Sequence, residues 1–220
     1  LVVNEEGETF HWTGRYEGDM NEAHTLSVGL NVLDGYQATV PDSYKDTAYL
    51  FLANDHPGTQ LAVLEAMRGE PFTVADTRDF WISEEPEALK EVISKVNGLV
   101  LNEHEAKLLT GEQNLVCCGQ KIREMCPGFV VVKKGEHGAL LFSDEGISPL
   151  PAVPLAEVRD PTGAGDAFAG GLMGHLASSG DTSHKSIKRG MVYGTVTASI
   201  AVEDFTVEPF RKYDRSEVER

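Results

Sequence analysis

Asp166, set directly behind a Gly-rich turn, is the residue of this chain best placed to do chemistry. The stretch Arg159-Asp160-Pro161-Thr162-Gly163-Ala164-Gly165-Asp166-Ala167-Phe168-Ala169-Gly170-Gly171 puts that turn before an apolar, small-residue run that reads as a helix. The first N–H groups of a helix lack intrahelical partners, and the macrodipole adds partial positive charge there, so the turn is a candidate anion site. Gly163 and Gly165 have no Cβ, and a phosphate could approach the main chain closely. Asp166 would sit in the first turn, beside that anion. A carboxylate repels phosphate unless it has another task, such as taking the proton of an attacking hydroxyl. An anion hole with a base beside it is the minimum equipment for phosphoryl transfer. The plainer reading of the same residues is a capped helix start whose Asp complements the dipole.

The elements that must position these residues alternate along the chain, which predicts an α/β fold with a largely parallel sheet. Apolar runs of strand length occupy residues 49–53, 72–75, 98–101, 129–132 and 139–142. Helix-like segments cover 60–67, 87–96, 113–125, 164–177 and 183–202, with Pro86 suited to the first turn of the second. Gly170, Gly171 and Gly174 are costly in a free helix and are expected to allow close packing on the sheet. Polar residues stand where the apolar runs end, and in open α/β sheets the ligand crevice lies at the carboxyl ends of the strands. Asn54, Asp76 and Asn102 are therefore placed to line a cleft, Asn54 as a substrate contact. The same residues are also ordinary turn formers and N-caps.

Four stretches carry a family resemblance. Asp160-Pro161-Thr162-Gly163-Ala164-Gly165-Asp166 resembles the C-terminal signature of the PfkB (ribokinase-like) sugar and nucleoside kinases. Asn102-Glu103-His104-Glu105 resembles that family's Asn-x-x-Glu motif, and Val130-Val131-Val132-Lys133-Lys134-Gly135-Glu136-His137-Gly138 its nucleotide-binding strand and turn. Thr9-Phe10-His11-Trp12-Thr13-Gly14 resembles part of its lid. The resemblance implies a ribokinase-like three-layer α/β/α fold with a mostly parallel central sheet and a small, partial β lid. It implies an ATP-dependent phosphotransferase that moves a γ-phosphoryl to an alcohol group of a sugar or nucleoside. Asp166 would be the general base, also touching the substrate, and Gly163, Ala164 and Gly165 the anion hole.

The remaining roles follow from the same resemblance. Asn102 and Glu105 would organise Mg²⁺, largely through water, although an N-cap followed by a first-turn Glu is equally good helix chemistry. Lys133, Lys134, Gly135 and Gly138 would meet ATP. The two lysines replace the Thr and apolar residue more usual in ribokinase-like members, and a surface hairpin with solvated lysines is the plainer reading. Asp160 and Thr162 match positions that hold a monovalent cation such as K⁺ in many relatives. The region 202–207 differs from ribokinase's Gly-containing loop, which weakens the K⁺ expectation. No Gly-x-x-x-x-Gly-Lys-Ser/Thr loop and no Asp-Phe-Gly or His-Arg-Asp set is present, which excludes P-loop and protein-kinase mechanisms at the motif level.

Composition sets the outer bounds. The 220 residues are 41% hydrophobic, with no apolar run long enough to span a membrane. A formal net charge of −16 argues against nucleic acid or an anionic membrane as partner. Three cysteines, Cys117, Cys118 and Cys126, fit a reduced, cytoplasmic compartment better than a disulfide framework, as does the acidic start at Asn4-Glu5-Glu6. The seven histidines show no zinc spacing.

The domain reading is a single ribokinase-like kinase domain over 1–220, with a lid segment at about 8–32 and a core at about 33–220. The Gly-Gly-containing segment that binds the acceptor in this family is not found before Thr9. The chain is therefore expected to be an N-terminally truncated member that exposes apolar edges, which a homodimer would cover. Phe10, Trp12 and Tyr16 could cover a ligand or serve as packing contacts. The alternative to a sugar or nucleoside kinase is a non-catalytic nucleotide-binding remnant of one. The acceptor is not readable.

Overall fold

Two antiparallel strands, β1 (His11–Tyr16) and β2 (Ala23–Gly29), begin the chain's regular structure, with a register shift at Thr13/Gly14. Trp12 Nε1 donates to Thr25 Oγ1 across the pair at 3.0 Å, and Trp12 meets Tyr16 edge-on. Leu26 and Val28 are exposed on this hairpin. The computed structural model describes residues 3–18, 20 and 23–218, in two units, 1–39 and 40–220.

The larger unit is built on six strands in the order β3 (Tyr49–Leu52), β4 (Phe72–Asp76), β5 (Gly98–Asn102), β6 (Phe129–Lys133), β7 (Ala139–Ser143) and β8 (Gly146–Leu150). β3 to β6 run parallel, and β7 and β8 return antiparallel. Between them lie α1 (Pro57–Ala66), α2 (Asp79–Glu84), α3 (Pro86–Lys95), α4 (Glu103–Thr110) and α5 (Leu115–Met125). α6 (Ala164–Ser179) and α7 (His184–Ala201) follow the sheet.

Strand side chains alternate between faces, and the two faces have separate cores. Ala75, Leu99, Leu101, Val130 and Val132 pack with Leu89, Val92 and Ile93 of α3 and Cys118 and Ile122 of α5. Val74, Val100 and Val131 pack on the other face with Phe168 and Leu172 of α6 and Ile187 and Met191 of α7. The result is the α/β/α layering expected from the sequence.

Several local expectations need correction. A Cβ on Gly171 would meet Gly194 N at 2.7 Å, so this glycine brings α6 against α7 and not against the sheet; Gly170 and Gly174 face open space. Thr197 Oγ1 reinforces the same helix pair by donating to Ala167 O at 2.7 Å. α2 and β8 were not expected. α2 has only six residues, too few to show a helical period, and β8 carries Pro149, which a sheet tolerates at its edge. All three cysteines are free thiols, with Cys118 and Cys126 buried as apolar packing. Among the described residues no helix is long and apolar enough to cross a membrane.

Candidate active site

The strand alternation that builds the two cores also decides which polar residues meet. Asp76 ends β4, Asn102 ends β5 and Lys133 ends β6. Each is two residues beyond a side chain packed on α6, namely Val74, Val100 and Val131. By the two-residue period, all belong to the α6 side of the sheet at its carboxyl edge. Asn102 pairs with Lys133 in the ladder, and Asp76 pairs with Val100.

α6 starts above that edge. Its N-cap, Gly163, has φ +84, a left-handed conformation that an L side chain resists. Ala164 N donates to Pro161 O and Ala167 N to Gly163 O. Gly165 and Asp166 stand in the first turn of α6, where backbone N–H groups lack intrahelical partners. Asp166 is exposed in the first turn. A Cβ on Gly165 would lie 3.0 Å from Lys133 Nζ. Lys133 therefore reaches from the end of β6 to the opening turn of α6.

Lys133 is held there by Asp76. Its Nζ lies 3.4 Å from Asp76 Oδ2, with side-chain exposures of 18% and 5%. The other carboxylate oxygen, Oδ1, accepts from Thr77 N at 2.7 Å, and Asp76 O accepts from Gln60 Nε2 at 3.1 Å. Burial pushes the Asp76 carboxyl above its ordinary value, which Lys133 opposes and the nearby Asp166 charge reinforces. The lysine is thus not the solvated hairpin residue of the plainer reading.

Asn102 and Glu105 form a complete capping box at the start of α4. Asn102 Oδ1 accepts from Glu105 N at 2.8 Å, and Glu105 Oε2 accepts from Asn102 N at 2.7 Å. Burial pushes the Glu105 carboxyl up to about 7, with Lys133 pulling it down and Asp76 pushing it further up. Among the described residues no group of three or more His, Cys, Asp or Glu side chains could hold a metal ion alone. A Mg²⁺ bound mainly through water needs fewer ligands than that, and the buried Glu105 carboxylate is a suitable donor.

The other expected residues are placed differently. Lys134 N donates to Gly138 O at 2.7 Å, closing the β6–β7 turn through a short 3₁₀ segment, Gly135–His137. Gly135 and Gly138 both have positive φ, and a Cβ on Gly138 would meet Leu150 O at 2.0 Å. These glycines are thus required by the turn and by the approach of β8. Asp160 Oδ1 accepts from Thr162 N at 2.9 Å, and Arg159 N donates to Val202 O at 2.9 Å, which ties the loop to the end of α7. Asn54 is exposed just beyond β3.

Residue-type reasoning missed a second polar corner, at the ends of β3 and β4. Gln60 Nε2 donates to Ala53 O at 2.8 Å as well as to Asp76 O, which bridges the two strand ends. His56 caps α1 and meets Trp81 edge-on at 5.0 Å. Gln60 Oε1, Thr77 Oγ1, Arg78 Nε and Trp81 Nε1 are buried there without a hydrogen-bond partner among the described residues. Arg78 Nε does lie 3.5 Å from Asp79 Oδ1, so its charge is paired although its geometry is not that of a hydrogen bond. No sequence motif marks these four residues.

Comparison with known proteins shows the family. The sequence profile of the pfkB family carbohydrate kinases matches residues 70–208. A cytidine kinase of Thermococcus kodakarensis is 29% identical over 172 residues, covering 76% of this chain and 61% of that protein. A nucleoside kinase of Methanothermobacter thermautotrophicus is 33% identical over 116 residues, 53% of this chain and 35% of that protein. Ribokinase from Thermotoga maritima superposes with TM-score 0.74 at 20% identity, covering 99% of this chain and 70% of that structure. A Burkholderia thailandensis nucleoside kinase in complex with inosine gives TM-score 0.73 at 18% identity, covering 97% and 67%. The chain thus spans less than two thirds of the curated relatives it matches. A ribokinase fold, a matching profile that includes both the Asn102–Glu105 and Asp160–Asp166 segments, and kinase relatives agree: the chain belongs to the pfkB carbohydrate kinase family.

Proposed function

We propose that this protein is an ATP-dependent kinase that phosphorylates an alcohol group of a nucleoside or sugar, with a nucleoside as the first acceptor class to test. The observation that carries the reading is the start of α6. There a left-handed Gly163 opens the helix, the exposed Asp166 carboxylate stands in its first turn, and the Lys133 ammonium lies against that turn. Such a turn binds a phosphoryl group by main-chain N–H and leaves a base beside it. The nucleoside preference comes from the relatives named cytidine kinase and nucleoside kinase.

In this reading Asp166 accepts the acceptor hydroxyl's proton as its oxygen forms a bond to the γ-phosphorus. The bond from that phosphorus to the β-phosphate bridging oxygen breaks, and its electron pair leaves with ADP. Gly163, Ala164 and Gly165 hold the transferred group. Lys133, Lys134 and the Gly135–Gly138 turn face the nucleotide. Glu105 and Asn102 present the carboxylate and amide for a hydrated Mg²⁺, which when bound neutralises phosphate charge. Asp160 and Thr162 fix the loop behind the turn, where K⁺ would bind. Asn54 borders the acceptor side, and the β1–β2 hairpin serves as the lid. A second copy of the chain would cover the exposed apolar residues of that hairpin.

The test is ADP formation from Mg-ATP across cytidine, inosine, adenosine and simple sugars, with K⁺ present. Acceptor-dependent ADP supports the reading and names the acceptor class. Folded protein that binds Mg-ATP but forms no ADP with any acceptor favours the nucleotide-binding remnant.

A further inference from the structure

Lys133 is placed for more than general attraction to a polyphosphate. It leaves the sheet at the carboxyl end of β6, yet its ammonium lies over the opening turn of α6, 3.0 Å from where a Gly165 Cβ would be. A side chain at Gly165 would crowd it, so the turn and the lysine fit one another. Asp76 reaches the same point from β4, on the far side of β5, and meets Nζ at 3.4 Å. That carboxylate has little freedom. Thr77 N holds its Oδ1, Gln60 Nε2 holds its backbone carbonyl, and its side chain is only 5% exposed. A long, flexible ammonium stem is thereby given one preferred position, and some of the ordering entropy is spent before a ligand arrives.

Resting on the kinase reading above, we propose that Asp76 is a positioning residue that aims the Lys133 ammonium at the transferred γ-phosphoryl group, and not at the adenosine or the α-phosphate. The first N–H groups of α6 belong to the same turn, so Lys133 and these donors would share one phosphoryl oxygen cage. Negative charge is dense at this spot. Asp76, Glu105 and Asp166 surround it, and Lys133 is the strongest opposing charge for both Asp76 and Glu105. A phosphoryl group brought here without Lys133 would meet only carboxylates and main-chain dipoles. A lysine that served solely as a counter-ion to buried Asp76 would be indifferent to which nucleotide is bound.

The experiment compares binding of Mg-ADP and of a β,γ-imido ATP analogue to wild-type protein, Lys133→Met, Lys133→Arg and Asp76→Asn by titration calorimetry, alongside turnover. Lys133→Met is expected to weaken the analogue at least about tenfold more than ADP, and to lower kcat about a hundredfold, the usual cost of one lost donor at the reacting group. Lys133→Arg restores part of the preference for the analogue. Asp76→Asn lowers the preference about tenfold, and the double variant is no worse than Lys133→Met alone, because Asp76 acts through the lysine. Equal loss of ADP and analogue in a folded Lys133→Met protein overturns this inference and leaves the kinase reading intact. Wild-type protein that binds neither nucleotide overturns both.

Discussion

At the carboxyl ends of β5 and β6 the side chains of Asn102, Glu105 and Lys133 are hydrogen-bonded or ion-paired, whereas at the β3–β4 end Gln60 Oε1, Thr77 Oγ1, Arg78 Nε and Trp81 Nε1 are buried with no hydrogen bond among the described residues. Both ends are carboxyl termini of parallel strands in one sheet. At the first, a capping box, a buried ion pair and a left-handed glycine fix Asn102, Glu105, Lys133 and the turn before α6. At the second, β3 is an edge strand, and the polar atoms near it need partners that the described protein atoms do not supply. Each buried, unpaired group costs about 1–3 kcal/mol, so four in one corner are a concentrated demand for water or ligand. In the proposed reading the phosphate-handling end is written into local backbone geometry, and the acceptor end depends on what fills it.

Substitutions can break or sharpen that contrast. The largest effect is expected at Asp166. Asp166→Asn should lower turnover by about 10²- to 10⁴-fold, the range for loss of a general base, with nucleotide affinity changed less than about threefold. Steady-state kinetics with calorimetry checks it, and an equal loss of ADP affinity would mean that Asp166 is structural. Gly163→Ala comes next. A Cβ at φ +84 should cost about 1–2 kcal/mol, which lowers the melting temperature by several degrees and weakens nucleotide binding together.

Glu105 gives a pH signature at the same end. Its carboxyl is pushed up to about 7 from an ordinary 4.5, so the folded chain binds more protons than the unfolded chain between those values. The Glu105 contribution to stability is therefore lost as pH rises from about 4.5 to 7. Metal-free Glu105→Gln should show a shallower fall in melting temperature across that window than wild-type protein. Parallel curves would show that Glu105 is not the group responsible. The smallest effect is expected at the other end. Thr77→Val removes an unpaired buried hydroxyl and should be neutral or stabilise by about 1 kcal/mol in chemical denaturation. Destabilisation by more than that would mean the hydroxyl has a partner.

Much of this was legible in the sequence, and the exceptions have physical causes. Strands β3 to β7 end within a residue of where their apolar runs end, and for the parallel strands β4, β5 and β6 the reason is that a strand buried on both faces has to be continuously apolar. The turn before α6 was readable because Gly163 serves a backbone need, a left-handed φ, that is local in sequence. The Asp76–Lys133 pair was not readable, since its partners are 57 residues apart and meet only once β4, β5 and β6 take their order. Gly135 and Gly138 were read for a nucleotide contact, and the positive φ of both and the approach of the β8 backbone to Gly138 are further reasons for glycine that the sequence did not disclose. Asn102 and Glu105 matched a metal motif and a capping box equally well, and the capping box is formed.

The most direct test of the account is ADP release from Mg-ATP by this chain, with and without cytidine, in wild-type protein and Asp166→Asn. The account predicts ADP that requires the acceptor and disappears with the Asp166 carboxylate. Acceptor-dependent ADP that survives in Asp166→Asn, or none at all from folded protein that binds Mg-ATP, would contradict it.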